Sequence, residues 1–347
     1  MTTTAPICVR IVVVLFVLTS PSSAVHAEDR LAKYDPIASA VAKSLPLLEK
    51  GAKGSMEQRK QCFNCHNQGL PIMALTTAQS RGFSIDVEHL KQQIQFTADF
   101  LTRNKARYRE GEGQGGQIDT AGYALWALDN GRWKPDETTA AVAEYFLLRQ
   151  SDREHYAPES VRPPSEQSRF TSTYVALRGL KTFGVPEQKE RIDARIDRVR
   201  QWLVKAEPED TEDRVFRLRA FQLIGVSEES VQQAAKDLQS SQRSDGGWAQ
   251  RDDMESDAYA TGTALVALHE TGGMATDDSI YSKGLEYLIS SQKVDGSWYV
   301  ASRSKPFQTY FESGYPHGND QFISIAAASW STTALALALP KSMPQTE

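Results

Sequence analysis

Six times the chain returns to the same Ala/Leu-rich helical pattern, and a repeat of that kind restricts the fold more than any single motif does. The copies are Pro71–Leu75, Thr120–Leu128, Thr173–Leu180, Phe216–Phe221, Thr261–Leu268 and Ser331–Leu335, aligned at positions 74, 124, 176, 217, 264 and 334. In four of the six a glycine stands eight residues after the aligned position, where a helix C-terminal cap belongs. Small residues on nearly every face imply helices packed on all sides. Before each copy lies a more amphipathic stretch, expected as a helix over 36–50, 86–102, 136–149, 188–204, 229–241 and 278–291. Charged residues such as Lys91, Glu144, Arg198, Lys236 and Glu286 should turn to water there. Strand signals are scarce. The pattern predicts an all-α domain, an α/α-toroid of six helical hairpins with an inner ring of buried helices inside an outer ring.

The first 27 residues carry an address. Arg10 precedes an apolar core Ile11–Leu18, and Val25 and Ala27 give the small-residue pattern before a cleavage site. A secretory signal over 1–27 and a toroid over 28–347 are therefore expected, with the product periplasmic or secreted. No later segment is apolar for long enough to span a bilayer. A formal net charge of −5 gives neither a nucleic-acid footprint nor attraction to a membrane surface.

One motif carries recognisable chemistry. Cys62-Phe63-Asn64-Cys65-His66 is a Cys-x-x-Cys-His sequence, the attachment signature of c-type haem. Two thiols at that spacing can each add to a vinyl group of one porphyrin, and the following histidine can bind the iron from one face. Cys62 and Cys65 are thus expected as thioether anchors of covalent haem c, and His66 as the proximal ligand. A zinc site would need histidines to complete its ligands, because the remaining cysteine, Cys8, falls in the signal. A thioredoxin-like dithiol lacks its βαβ context, and a small disulfide stays open in an oxidising compartment.

Two further stretches carry a family resemblance. Lys283–Trp298, with Gln292, Asp295, Gly296 and Trp298, resembles the QW repeat of squalene–hopene cyclase and its relatives, and Leu238–Trp248 is a second copy. In this motif the glutamine is expected to cap the outer helix, the Asp-Gly turn to reverse the chain, and the tryptophan to pack on the next hairpin. The resemblance is specific over 229–300. It implies the toroid of terpenoid cyclases and prenyltransferase β-subunits without implying their activity. In the first hairpin, Cys62–His66 takes the place of the glycine–tryptophan turn. That arrangement resembles exported bacterial proteins with a Cys-x-x-Cys-His segment before a squalene-cyclase-like toroid.

Resemblance to class II cyclases implies an Asp-x-Asp-Asp acid at the start of an inner helix. The nearest stretch, Asp252–Thr261, lacks the adjoining pair. Asp257 reads instead as the N-cap of the fifth inner helix, and Asp119 as that of the second. Few rings beyond Tyr123, Trp126, Tyr174 and Trp330 lie on the inner helices, so cyclase activity is not expected. With no cysteine after position 65, neither the prenyltransferase zinc site nor a complement-type thioester carries over.

Among the histidines, His89 is expected in solvent, His155 at the mouth that holds Cys62–His66, and His269 at the far end. Closing a six-membered ring sets the loops of hairpins one and six side by side. His317, in the long loop before the sixth inner helix, is then the candidate distal iron ligand, with Met73 the sulfur alternative. The preferred reading is an exported c-type haem protein for redox, electron-transfer or haem-based ligand binding, with a redox partner protein or small ligand at the toroid mouth. The alternative is a non-catalytic toroid that binds a partner or small ligand, with Cys62–Cys65 a disulfide. A divergent terpenoid cyclase comes third.

Overall fold

The computed structural model describes Met1 and residues 21–305 and 309–341, with side chains from residue 34 onward. Most of the expected signal at 1–27 lies outside the described residues. No helix among them is long and apolar enough to cross a membrane.

The chain folds as the expected all-α toroid. Its inner helices are α2 (Leu70–Ser80), α5 (Gln117–Asn130), α7 (Arg169–Phe183), α9 (Thr211–Ile224), α11 (Ala258–Glu270) and α13 (Gln321–Leu337). The outer ones are α1 (Pro21–Gln58), α3 (Val87–Arg103), α6 (Glu137–Leu148), α8 (Lys189–Leu203), α10 (Glu228–Ser240) and α12 (Ser279–Ser291), with a short α4 (Lys105–Arg109) packed on α6. Each inner helix packs on the next, and α13 packs on α2, so the ring closes. Five outer helices fall within a residue or so of the expected ranges. The first is longer, running through Pro36 and Pro46.

Caps start many of these helices. Ser168, Asp210 and Asp257 accept hydrogen bonds from the first-turn amides of α7, α9 and α11, and Asp86, Asp136, Ser227 and Asp278 do so on outer helices. Asp257 is thus the N-cap read from sequence. Asp119 is not: it lies inside the first turn of α5, fully buried, and accepts from Ser172 Oγ at 2.6 Å.

Small inner residues let neighbouring backbones come close. A Cβ added at Gly262 would lie 2.8 Å from the backbone nitrogen of Ser331, so only glycine fits where α11 crosses α13. The sole strands among the described residues, β1 (Trp248–Ala249) and β2 (Ser256–Asp257), form a two-residue antiparallel pair within the loop leading to α11.

The QW turns hold neighbouring hairpins together, but the expected roles of their two residues are exchanged. Trp248 Nε1 donates to Leu238 O at 2.9 Å and Trp298 Nε1 to Leu288 O at 2.8 Å, so each tryptophan caps its own outer helix. Gln242 Nε2 instead reaches Ile280 O in α12 at 2.8 Å, and Gln292 Nε2 reaches Ala40 O in α1 at 2.9 Å. The second bond joins the last hairpin to the first. A third copy escapes the sequence comparison because tyrosine replaces tryptophan. Tyr156 Oη donates to Phe146 O at 2.7 Å, and Gln150 Nε2 to Ala157 O at 3.0 Å.

Candidate functional site

The first turns of α5, α7, α9 and α11 meet at one mouth of the ring and are tied by side-chain hydrogen bonds. Ser172 Oγ reaches Asp119 on α5, and Thr171 Oγ1 donates to Glu212 Oε1 on α9 at 2.8 Å. Tyr259 Oη on α11 donates to Glu212 Oε2 at 3.1 Å, and Ser168 Oγ to Asp213 Oδ1 at 2.6 Å. The result is a belt of buried carboxyl groups. Glu212 is 3 % exposed, and burial pushes it up to about 8, against the pull of the Thr171 and Tyr259 hydroxyls. It therefore holds its proton at neutral pH. Burial likewise raises Asp119 well above the carboxylate range and lifts Asp257 to about 6. Glu166 is raised by burial as well, despite its ion pair with Arg162.

Below this belt lie the rings of the inner helices. Trp126 stacks on Tyr123 at 5.7 Å and meets Tyr174, Phe216 and Trp330 at 5.5, 6.5 and 5.8 Å, drawing rings from α5, α7, α9 and α13 together. A cation already sits among them. The Arg219 guanidinium lies 5.3 Å from the Trp126 ring centre, 5.4 Å from Tyr174 and 5.7 Å from Trp330, and pairs with Glu270 at 3.1 Å. Burial would raise the Tyr174 hydroxyl, but the guanidinium groups of Arg219 and Arg178 outweigh it and draw it down.

At the same mouth, Cys62–His66 occupies the outer-to-inner loop of hairpin one, as expected. Asn64 Oδ1 accepts the amides of His66 and Asn67 at 3.1 and 3.2 Å, which caps a five-residue π-helix, Cys65–Gly69, that leads into α2. Cys62 is exposed, Cys65 is buried, and both thiols are free. Burial, reinforced by Glu166 and Asp119, pushes the Cys65 thiol up, against the opposite effects of Arg162 and Thr120. His66 is half-buried, and burial together with the charge of Arg162 lowers it to about 4, leaving a neutral imidazole. These residues line a cavity of about 340 Å³ whose wall also includes Arg59, Arg162 and Glu166.

The comparisons with known proteins bear on the fold. The squalene-hopene cyclase C-terminal domain family matches residues 210–332. No curated protein matches the chain. Among solved structures, the type II terpene cyclase MstE from Scytonema superposes with a TM-score of 0.54 at 14 % identity, covering 89 % of this chain and 99 % of that one. A variant of it in complex with its product, merosterolic acid A, gives 0.53 at 14 % identity over 90 % and 99 % of the two chains. Another, in complex with its substrate, geranylgeranyl dihydroxybenzoate, gives 0.53 at 12 % identity over 89 % and 100 %. The fold is that of a type II terpene cyclase.

That likeness overturns the covalent haem c expected from the sequence. The matching toroids are cyclases whose described ligands are terpenoids. Among the described residues no three His, Cys, Asp or Glu side chains gather where they could hold a metal. The Cys62–His66 cavity has charged side chains in its wall, whereas a porphyrin face calls for apolar contacts. The iron roles given to His66 and His317 fall with it.

His317 does not line the cavity of His66. It accepts or donates at Nε2 to Ser297 Oγ at 2.9 Å and packs edge-on to Tyr299 at 5.3 Å. The loops of hairpins one and six do meet, but through the Arg59 guanidinium over the Phe311 ring at 5.4 Å. Met73 is core, as its apolar helix suggested. His89 is buried rather than solvated, with Nδ1 3.4 Å from Gln93 Nε2. His155 stacks on Trp202 at 4.4 Å. The residue that sequence reasoning missed is Glu212. In sequence it is one of several acids in a helix first turn, where an exposed carboxylate would suit the helix dipole. Its burial depends on Thr171 and Tyr259 from two other hairpins.

Proposed function

We propose that this chain is a divergent type II terpene cyclase in which Glu212 is the protonating acid. The observation that carries the reading is a carboxyl held neutral by burial at the mouth of a toroid whose interior holds a cluster of aromatic rings. An acid that is still protonated near neutral pH can give its proton to the terminal double bond of a polyprenyl chain. The cation formed at the more substituted carbon is attacked by the next double bond, which closes a ring, and loss of a proton restores neutrality. Tyr259 and Thr171 would orient the carboxyl, and either hydroxyl can turn to suit its protonation state. Nearby π-faces such as Tyr123 favour positive charge. The redox and electron-transfer reading expected first from sequence has no support, and the cyclase reading placed last is favoured by the fold.

Product analysis after incubation with squalene and with a geranylgeranyl-substituted dihydroxybenzoate tests this. Cyclised product is expected from the wild type, with a loss of about 10²–10⁴-fold in Glu212→Gln, the usual range for a general acid. Wild type that cyclises neither substrate, or Glu212→Gln that cyclises as well as wild type, sinks the assignment. Arg219 supports a second reading. Its guanidinium already fills the ring-lined centre with a cation, which suits a toroid that binds a small ligand at its mouth without catalysis. In that reading Cys62, Cys65 and His66 belong to the binding wall.

A further inference from the structure

The mouth has another opening, which shares Arg162 with the His66 cavity. Beside the loop 160–167 a hollow of about 670 Å³ is lined chiefly by Val161, Arg162, Pro163, Arg251, Arg303 and Lys305. Four of these six are cationic, and none of its lining residues is a carboxylate. Val161 is 74 % exposed there, an apolar side chain among guanidinium groups.

The acids that face these cations only partly satisfy them. Glu166 is committed to Arg162. Asp253 lies 3.1 Å from Arg251, but both side chains are more than half exposed, so water screens the pair. Arg303 Nε donates to the neutral Gln250 Oε1 at 2.7 Å, and no described carboxylate forms an ion pair with Arg303 or Lys305. Asp210 and Asp257 act on Arg303 from farther off, and burial raises both above their ordinary values.

Arg251 and Arg303 also wall an adjoining hollow of about 590 Å³ that carries five acids, Glu209, Asp210, Asp213, Asp252 and Asp253, with Asp210 and Asp213 on either side of Glu212 in sequence. Gln250 links Arg303 to Asp257 at 2.9 Å, and two residues on Tyr259 meets Glu212. The cationic hollow and the proton-bearing carboxyl are thus connected through Gln250, Asp257 and Tyr259.

We infer that this hollow receives the anionic head of an amphiphile, a phosphate or carboxylate held by Arg251 and Arg303, while its hydrocarbon chain passes Val161 and Pro163 along the mouth. Guanidinium forks match both head groups bidentately. The inference rests on the cyclase reading only for the prenyl nature of the chain.

Calorimetric titration of the full chain with farnesyl phosphate, farnesol and inorganic phosphate tests it. Farnesyl phosphate should bind at least about tenfold tighter than farnesol, the return for charge-assisted bonds to arginine. Arg251→Gln with Arg303→Gln should erase that advantage and leave farnesol binding and the far-ultraviolet circular dichroism unchanged. Farnesol or inorganic phosphate binding as tightly as farnesyl phosphate overturns the inference, as does a folded double variant with undiminished affinity. Arginine-dependent binding in a protein that cyclises nothing would remove the cyclase reading and keep this one.

Discussion

Hairpins five and six and hairpin one place different sequences at the same point, and the contrast separates scaffold from site. In the first pair, Gln242, Trp248, Gln292 and Trp298 each donate to a backbone carbonyl of an outer helix. Both tryptophans are wholly buried. In hairpin one the turn keeps its order through Asn64 and Gln68, and Cys62 and His66 face a cavity. Asn67 there is buried with both amide atoms unpartnered. A turn whose polar groups are all used by the ring is structural. One that leaves side chains facing a hollow is available for binding.

The largest effect that could break this contrast is on the tryptophans. Trp298→Ala should cost about 3–5 kcal/mol, the range for truncating a buried large aromatic. Thermal or denaturant unfolding measures it, and a loss under about 1 kcal/mol would mean that the turn is not structural. Gln292→Ala removes the bond from the last hairpin to Ala40 and should cost about 0.5–1.5 kcal/mol, the net worth of one hydrogen bond. Cys62→Ser, at an exposed position of hairpin one, should stay within about 0.5 kcal/mol of wild type. A loss as large as that of Trp298→Ala would make the Cys62–His66 turn scaffold after all.

A pH profile sharpens the same contrast from the side of the belt. The Glu212 carboxyl is raised in the folded state from the ordinary 4.5 to about 8. Its folded form therefore binds a proton that the unfolded chain has lost, so its contribution to stability falls as pH climbs between those values. Glu212→Gln should gain stability relative to wild type across that window and show a flat difference below it. Paired unfolding curves at pH 4 and pH 8 check this. Under the cyclase reading, product formation should also fall as pH passes about 8.

The ring was legible because its signals are local. Ala124, Ala176 and Ala264 repeat at the same helical phase, and caps such as Asp136 and Asp257 act within three residues. The third QW-type turn, Gln150 to Tyr156, was not, since its identity rests on a bond geometry that tyrosine shares with tryptophan. The site was mostly hidden. Cys62–His66 was found in the right loop, but its short motif implied a chemistry that the surrounding Arg59, Arg162 and Glu166 do not favour. His317 was placed beside it by ring closure. The loops do meet, yet Ser297 and Tyr299 hold that imidazole elsewhere. Side-chain aim within a long loop is a tertiary property.

The bond from Gln292 to Ala40 spans 252 residues, and the one between Ser44 and Thr332 spans 288. A ring sealed by such contacts cannot be finished until α13 has left the ribosome. Until then α1 and α2 wait with apolar faces open. Loop closure of that length is slow, and the partly made ring is exposed to aggregation while it lasts. Shortening the chain after residue 320 should therefore yield a sticky open arc rather than a smaller ring.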